Sequence, residues 1–275
     1  MSHVPQPPPA PPSFLDSDGF SVLCEIEPPR KPDIQHVRTQ IEVLNPVVDA
    51  FLIPDNHLGR ATVSSVAVAH EVAYMGGRSI ACLNARDRNL LGFRRDLLTA
   101  ASYGVNHFLF VYGDKPQEGR RTDDLTVRGM INEVRGFGNG PLFQGYPDFR
   151  IGTVARVGQT LGWRAQADFV FVQISFNLPR VLRWREQLDY DGKIYAGVLV
   201  LASSRMARRI NATIPDIRIP ESLIDKLDDD PEIGIDIACE QIETLRDSGS
   251  VDGVHLVPVG RFRQVAERLN VVGPS

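Results

Sequence analysis

The chain has 275 residues, 43% hydrophobic and 23% charged, which is enough for one large α/β domain or two small ones. A net charge of -4 leaves no electrostatic footprint for nucleic acid or an anionic membrane surface. No apolar run approaches the ~18 residues of a membrane span, and the first residues lack the basic and apolar regions of a signal peptide.

Three scattered cysteines, Cys24, Cys82 and Cys239, fit free thiols of a reducing cytoplasm, and no Cys/His spacing suggests zinc. Residues 1–19 read as a disordered arm, because the run from Pro5 to Pro12 favours extended polyproline conformation. From residue 20 to 275 a single domain is expected. Strand one is Ser21–Glu27, stopped by Pro28 and Pro29. An amphipathic helix follows over Ile34–Leu44, then strand two over Ala50–Pro54 and a helix over Val63–Tyr74 ended by Gly76 and Gly77.

Ser79–Leu83 is the third strand and runs into the polar turn Arg86-Asp87-Arg88-Asn89. Leu90, Leu91, Phe93, Leu97, Leu98 and Ala101 recur at helical spacing, and Tyr103-Gly104 closes that helix. His107–Tyr112 is a buried-strand run leading into Gly113-Asp114-Lys115-Pro116. A helix is expected over Asp123–Val134, then a loop from Gly136 to Pro147. Strands five to eight fall at Arg150–Ala155, Phe169–Ser175, Ile194–Leu201 and Val254–Val259. Helices fall at Pro179–Leu188, Met206–Ile210, Ile233–Leu245 and Phe262–Leu269. Eight strands alternating with helices over roughly 250 residues predict a (β/α)8 TIM barrel. Only about 13 residues separate strands five and six, so that helix is short or missing. No strand leads into Gly-x-Gly-x-x-Gly, which argues against a Rossmann domain.

In such a barrel, sites are built past the C-terminal strand ends. Glu25 and Glu27 alternate against Cys24 and Ile26, which puts both carboxylates on one face. A desolvated acid there can protonate a substrate; the plainer reading is a structural carboxylate paired with Arg86 or Arg88. Asp55, Asp114 and Gln173 also fall at strand ends. Asp114 can hold a ring N–H or a ribose hydroxyl, or simply cap the next segment. Gln173 interrupts an apolar run and needs partners, from a ligand or a neighbouring strand. Arg261, after strand eight, can grip a carboxylate or phosphate, or lie on the surface. His255 reads as a core histidine, and His57 and His107 as incidental. The run Asp228-Asp229-Asp230 reads as a solvated helix end.

Several of these segments, in this order, resemble the 5,10-methylenetetrahydrofolate reductase family. Cys24-Glu25-Ile26-Glu27-Pro28-Pro29-Arg30 is similar to the family's first strand. Pro54-Asp55-Asn56-His57-Leu58 and Arg86-Asp87-Arg88-Asn89-Leu90-Leu91-Gly92 resemble motifs of the branch also found fused to homocysteine methyltransferases. Gly113-Asp114-Lys115-Pro116, Gln173-Ile174-Ser175-Phe176 and Gly253 to Arg261 match further motifs in order.

The resemblance implies reduction of 5,10-methylenetetrahydrofolate to 5-methyltetrahydrofolate in one-carbon metabolism. It implies Glu25 as the acid that protonates N10, with Asp114 beside the reacting pterin. Glu27, Gln173 and Arg261 would then bind the tetrahydrofolate derivative. FAD would lie near Asp55, Asn56, Arg88 and Asp114, with NAD(P)H as electron donor. The family's strand-three His-x-Thr-Cys is replaced by Cys82-Leu83-Asn84-Ala85, which leaves the flavin site partly lost. The alternatives are a folate-binding barrel in methyl transfer and a non-catalytic subunit that partners a true reductase. A homo-oligomer is also compatible with the resemblance.

Overall fold

The structure is a computed structural model that describes residues 13–137, 143, 146, 148–214 and 216–272. Eight parallel strands close into a barrel in sequence order: β1 Ser21–Glu25, β2 Ala50–Ile53, β3 Ser79–Asn84, β4 His107–Val111, β5 Arg150–Ala155, β6 Phe169–Val172, β7 Lys193–Leu199 and β8 Gly253–Val257. The expected (β/α)8 architecture is therefore present. Most strands stop one to three residues earlier than the apolar pattern suggested. β1 is an example: its pairing ends with Glu25 opposite Leu52, the Ile26 N–H makes a last bond to the Leu52 carbonyl, and Pro28 and Pro29 follow.

The helices are α1 Gln35–Leu44, α2 Ser65–Tyr74, α3 Leu90–Ser102, α4 Val127–Gly136, α5 Leu178–Glu186, α6 Ser204–Thr213, α7 Glu221–Asp229, α8 Ile233–Asp247 and α9 Phe262–Val272. Several start at the C-terminal end of the barrel with a side-chain cap. Asn89, Thr126, Asn177 and Ser203 each accept from a backbone N–H one turn on. Between β5 and β6 the crossover is only a five-residue 3-10 turn, Gly162–Gln166, as the short spacing required. The loop expected from Gly136 to Pro147 lies largely outside the described residues. α7 was not anticipated as a separate helix. The acidic run at 228–230 ends it, with Asp228 paired to Arg208.

Two apolar layers hold the barrel. Outward residues such as Cys24, Ile26, Phe51, Phe110 and Val254 pack under the helices. Inward residues, including Leu23, Leu52, Ile80, Cys82, Leu109, Phe169, Phe171 and Tyr195, fill the interior. Gly152 on β5 is required there, because a Cβ at that position would lie 2.0 Å from the Phe169 ring.

The described part of the arm expected over 1–19 is not a disordered tail. Residues 1–12 lie outside the described residues, but Phe14–Asp16 form a 3-10 turn with Phe14 and Leu15 buried. The Phe14 ring packs against His107, Phe169 and Tyr195, with centroids 5.1, 6.4 and 6.2 Å away. It closes the N-terminal end of the barrel. Ser13 Oγ hydrogen-bonds His107 Nε2 at 2.7 Å. His107, read as incidental, is the anchor of this plug. Proline enrichment just upstream concealed two strongly apolar residues that had a core to join.

Candidate active site at the barrel mouth

The open end of the barrel carries most of the residues singled out from the sequence. On β8, Val254 and Leu256 face the helices, so alternation sends His255 inward. Its register partner on β1 is Leu23, and Glu25 stands two residues further up the same face. The result is a contact between His255 Nε2 and Glu25 Oε2 at 3.4 Å, with side chains 13% and 19% exposed. The pair is close enough for charge attraction but not aligned as a hydrogen bond, and Nε2 has no other partner among the described residues. The imidazole stacks on Phe171 at 5.0 Å. Glu25 does not pair with Arg86 or Arg88, the partners its sequence context offered.

Cys82 lies in the interior layer beneath. Burial pushes its thiol well above the usual range, and the charges of Glu25 and Asp55 push it further. It is neither a nucleophile nor a ligand in that state. The residue at the mouth end of β3 is Asn84.

Asn84 is the centre of a polar network. Its backbone N–H and side-chain amide donate to Asp55 Oδ2 at 3.0 and 2.8 Å, and the amide also donates to Asp87 at 2.8 Å. Arg88 pairs with Asp55 through Nη2 at 2.7 Å and with Asp96 through Nε at 3.2 Å. Asn56 donates to Asp87 at 2.9 Å. Asp114 accepts from the Leu58 N–H at 2.8 Å. It is a cap, as its plainer reading had it, but of the β2 loop rather than the segment after itself. Burial pushes the Asp55 carboxyl above the ordinary range, while Arg88 and the Asn84 N–H pull it back. Gly113, with φ of 89°, lets the β4 loop close on Asn84; a Cβ there would lie 2.8 Å from the Asn84 Cβ.

Glu27 sits past the end of β1, exposed, and reaches Arg30 at 3.8 Å. It lies beyond the last paired residue of β1, so strand alternation does not fix its direction. Gln173 follows β6, half-buried, and its amide group makes no hydrogen bond to the described residues. Arg261 follows β8, pairs with Glu232 and reaches the Ala202 carbonyl. Around the rim, Leu58, Tyr112, Val154 and Val259 expose apolar surface. Among the described residues, the non-glycine positions with left-handed backbone are Asn56, Leu58 and Val259, all beyond strand ends at this mouth. A β-branched residue in that conformation is strained, and such strain concentrates at functional sites.

A family model for methylenetetrahydrofolate reductase matches residues 14–273, from the plug to the last helix. The chain belongs to the methylenetetrahydrofolate reductase family. A 5,10-methylenetetrahydrofolate reductase from Pectobacterium carotovorum subsp. carotovorum is 21% identical, covering 85% of this chain and 84% of that one. Among solved structures, an uncharacterized protein from Clostridium thermocellum that binds two copies of 5-methyl-5,6,7,8-tetrahydrofolic acid superposes with a TM-score of 0.65. It is 13% identical and covers 93% of this chain and 97% of its own. The tryptophan synthase A-subunit of Pyrococcus furiosus gives 0.53 at 12% identity, covering 91% and 96%. These likenesses in structure establish the barrel. In this member of the reductase family, His255 is the mouth residue the sequence reading missed. The alternation Val254-His255-Leu256 was the signal that places it inside.

Proposed function

We propose that this family member binds a reduced folate in the C-terminal mouth and reduces its 5,10-methylene bridge to a 5-methyl group. The observation that carries this is the Glu25 carboxyl, held inside the mouth above an apolar floor with an imidazole as its one side-chain partner among the described residues. Such an acid can protonate N10, which breaks the bond from the bridging carbon to N10 and leaves an iminium at N5. The nearby carboxylate then favours the cation. A hydride from a dihydronicotinamide, NADH or NADPH, completes the methyl group. On this reading Gln173, whose amide has no partner among the described residues, bonds the pterin, and Arg261 exchanges its Glu232 contact for the glutamate end. The exposed apolar rim supports stacking of the flat rings. The Clostridium thermocellum barrel that binds 5-methyltetrahydrofolic acid supports the choice of ligand.

The family normally carries FAD. The resemblance assigns Asp55, Asn56, Arg88 and Asp114 to flavin; the first three are engaged among themselves or with Asn84, Asp87 and Asp96, and Asp114 caps the Leu58 N–H. That set does not fit a flavin site, so no step is routed through FAD. The deciding experiment is an absorbance spectrum of purified protein, with turnover of methylenetetrahydrofolate assayed by NADH or NADPH oxidation with and without added FAD. Turnover without flavin is expected. An absolute requirement for FAD would overturn the direct-hydride reading, and no turnover at all would overturn the reductase. The closed Asp55–Arg88 side also favours a second reading, a folate-binding barrel in methyl transfer. Tight 5-methyltetrahydrofolate binding without hydride chemistry would establish it.

A further inference from the structure

On the outer wall of the barrel, α2 has the composition of a helix covered on both sides. Its sequence is Ser-Val-Ala-Val-Ala-His-Glu-Val-Ala-Tyr, and its one carboxylate, Glu71, is taken by Arg38 of α1 at 2.6 Å. Val66, Val68, Ala69 and Val72 pack on the barrel, while the exposed positions toward its end are His70, Ala73 and Tyr74. A surface helix ordinarily turns charge outward. Here Tyr74 is 80% exposed, and one turn back along the same face His70 stacks on Tyr103, the C-cap of α3, with ring centroids 4.4 Å apart. Tyr103 is itself 46% exposed. The aromatic patch lies where α2 and α3 finish, at the end of the barrel that Phe14 closes, remote from the mouth.

We propose that this patch is the docking site for the proline run of the same chain, Pro5 to Pro12, laid over Tyr103, His70 and Tyr74. The run leads directly into Ser13, whose Oγ bonds His107 Nε2 at 2.7 Å. His107 follows Tyr103 by four residues, so their Cα atoms stand within about 14 Å of each other. Tyr74 is one further helical turn away from His70, about 5.4 Å. Eight residues in polyproline form span about 25 Å. The run is long enough to cross the whole patch from its anchor.

The chemistry of the two surfaces matches. Proline-rich segments dock in grooves lined by aromatic rings, and their fixed φ keeps the entropy cost of docking low. Six of the eight residues from Pro5 to Pro12 are proline, and the other two, Gln6 and Ala10, carry no charge. Such a run brings flat pyrrolidine rings and carbonyl acceptors without asking for a counter-ion. The patch answers with flat rings and two phenol O–H donors, those of Tyr74 and Tyr103. The tether decides which proline run binds. A segment attached about 14 Å away faces the patch at an effective concentration in the millimolar range, so a weak contact suffices in cis. Docking also supports the plug, because the same strand of chain continues through Ser13 into the buried Phe14 and Leu15.

The test uses the full chain and two readouts. The first is nitration of tyrosines by tetranitromethane, followed peptide by peptide, with Tyr112 at the mouth as internal reference. Replacing all six prolines of the run by Ser should raise the rate at Tyr74 about tenfold, the ratio for an arm docked about nine-tenths of the time, and leave Tyr112 unchanged. Equal Tyr74 rates in the two chains overturn the proposal. The second readout identifies the occupant. A benzophenone side chain in place of Pro8 should cross-link on illumination to the peptide holding Tyr74 or the one holding Tyr103. The cross-link should be lost in Tyr74→Asp/Tyr103→Asp, whose unchanged Tm would show that the barrel itself is intact. Mixing 14N- and 15N-labelled chains separates the sources. Cross-links within one isotope support the chain's own arm. Cross-links between isotopes assign the patch to the arm of a second copy, and cross-links to another surface, or none, leave the patch without this occupant; each of these overturns the proposal.

Discussion

Arg88 and Asp55 close on each other across the ends of β2 and β3, with Nη2 2.7 Å from Oδ2 and both side chains nearly covered. Removing the guanidinium leaves the buried Asp55 carboxylate facing Asp87 and takes the partner of Asp96 as well. Arg88→Ala should cost about 3–5 kcal/mol of stability at neutral pH. Burial already holds the Asp55 carboxyl above its ordinary range. Losing Arg88 raises it further, so the folded variant takes up a proton where the unfolded chain does not. Stability of the variant should therefore fall as pH rises through that window and recover on acidification. Urea denaturation at pH 5 and pH 7 checks this; equal losses at both would show that losing Arg88 does not change the protonation of Asp55 over that range.

Glu25→Gln removes the ionisable proton and keeps the shape. Reduction should drop by at least about 100-fold while binding of 5-methyltetrahydrofolate changes little. Steady-state rates beside a binding isotherm separate the two. A variant that turns over normally would remove Glu25 as the acid.

The plug at the closed end should be acid-sensitive. Burial, with Arg150 adding to it, lowers His107 to about 4, well under its value in an unfolded chain. Between roughly pH 6.5 and pH 4 the unfolded chain then binds more protons, so stability is present above that window and is lost as pH falls through it. Tm measured across this range should decline in the wild type and decline less in His107→Gln. Phe14→Ala should cost about 3–5 kcal/mol at neutral pH, because it empties a site walled by three rings.

Gly152 and Phe169 occupy one space in the barrel interior. Gly152→Ala should destabilise by about 1–3 kcal/mol, because the added methyl meets the ring. Phe169→Leu in the same chain should return part of that loss. Chemical denaturation of both single variants and the double variant gives the coupling; strict additivity would mean that the two do not share a cavity.

The barrel was legible because buried parallel strands write continuous apolar runs and their spacing admits helices between them. Gly162–Gln166 shows the same arithmetic in reverse, since too few residues remained for a helix. The mouth was less legible. Strand ends placed Glu25 correctly, yet its partner came from β8, more than two hundred residues later, and nothing local joins them. Arg88, one of two arginines the plainer reading offered Glu25 as a partner, pairs instead with Asp55 and Asp96, a choice set by how β2, β3 and α3 stack. Phe14 and Leu15 were lost in the shadow of the prolines before them.

The network around Asn84 has a consequence for how such a barrel diversifies. It ties the loops after β2, β3 and β4 into one preassembled half-rim, whereas the side chains of Val154 on β5 and Gln173 after β6 make no hydrogen bond among the described residues. Substitutions on the first side put folding at risk. Those on the second can retune which ligand the mouth admits at small thermodynamic cost, so new specificities should arise preferentially there.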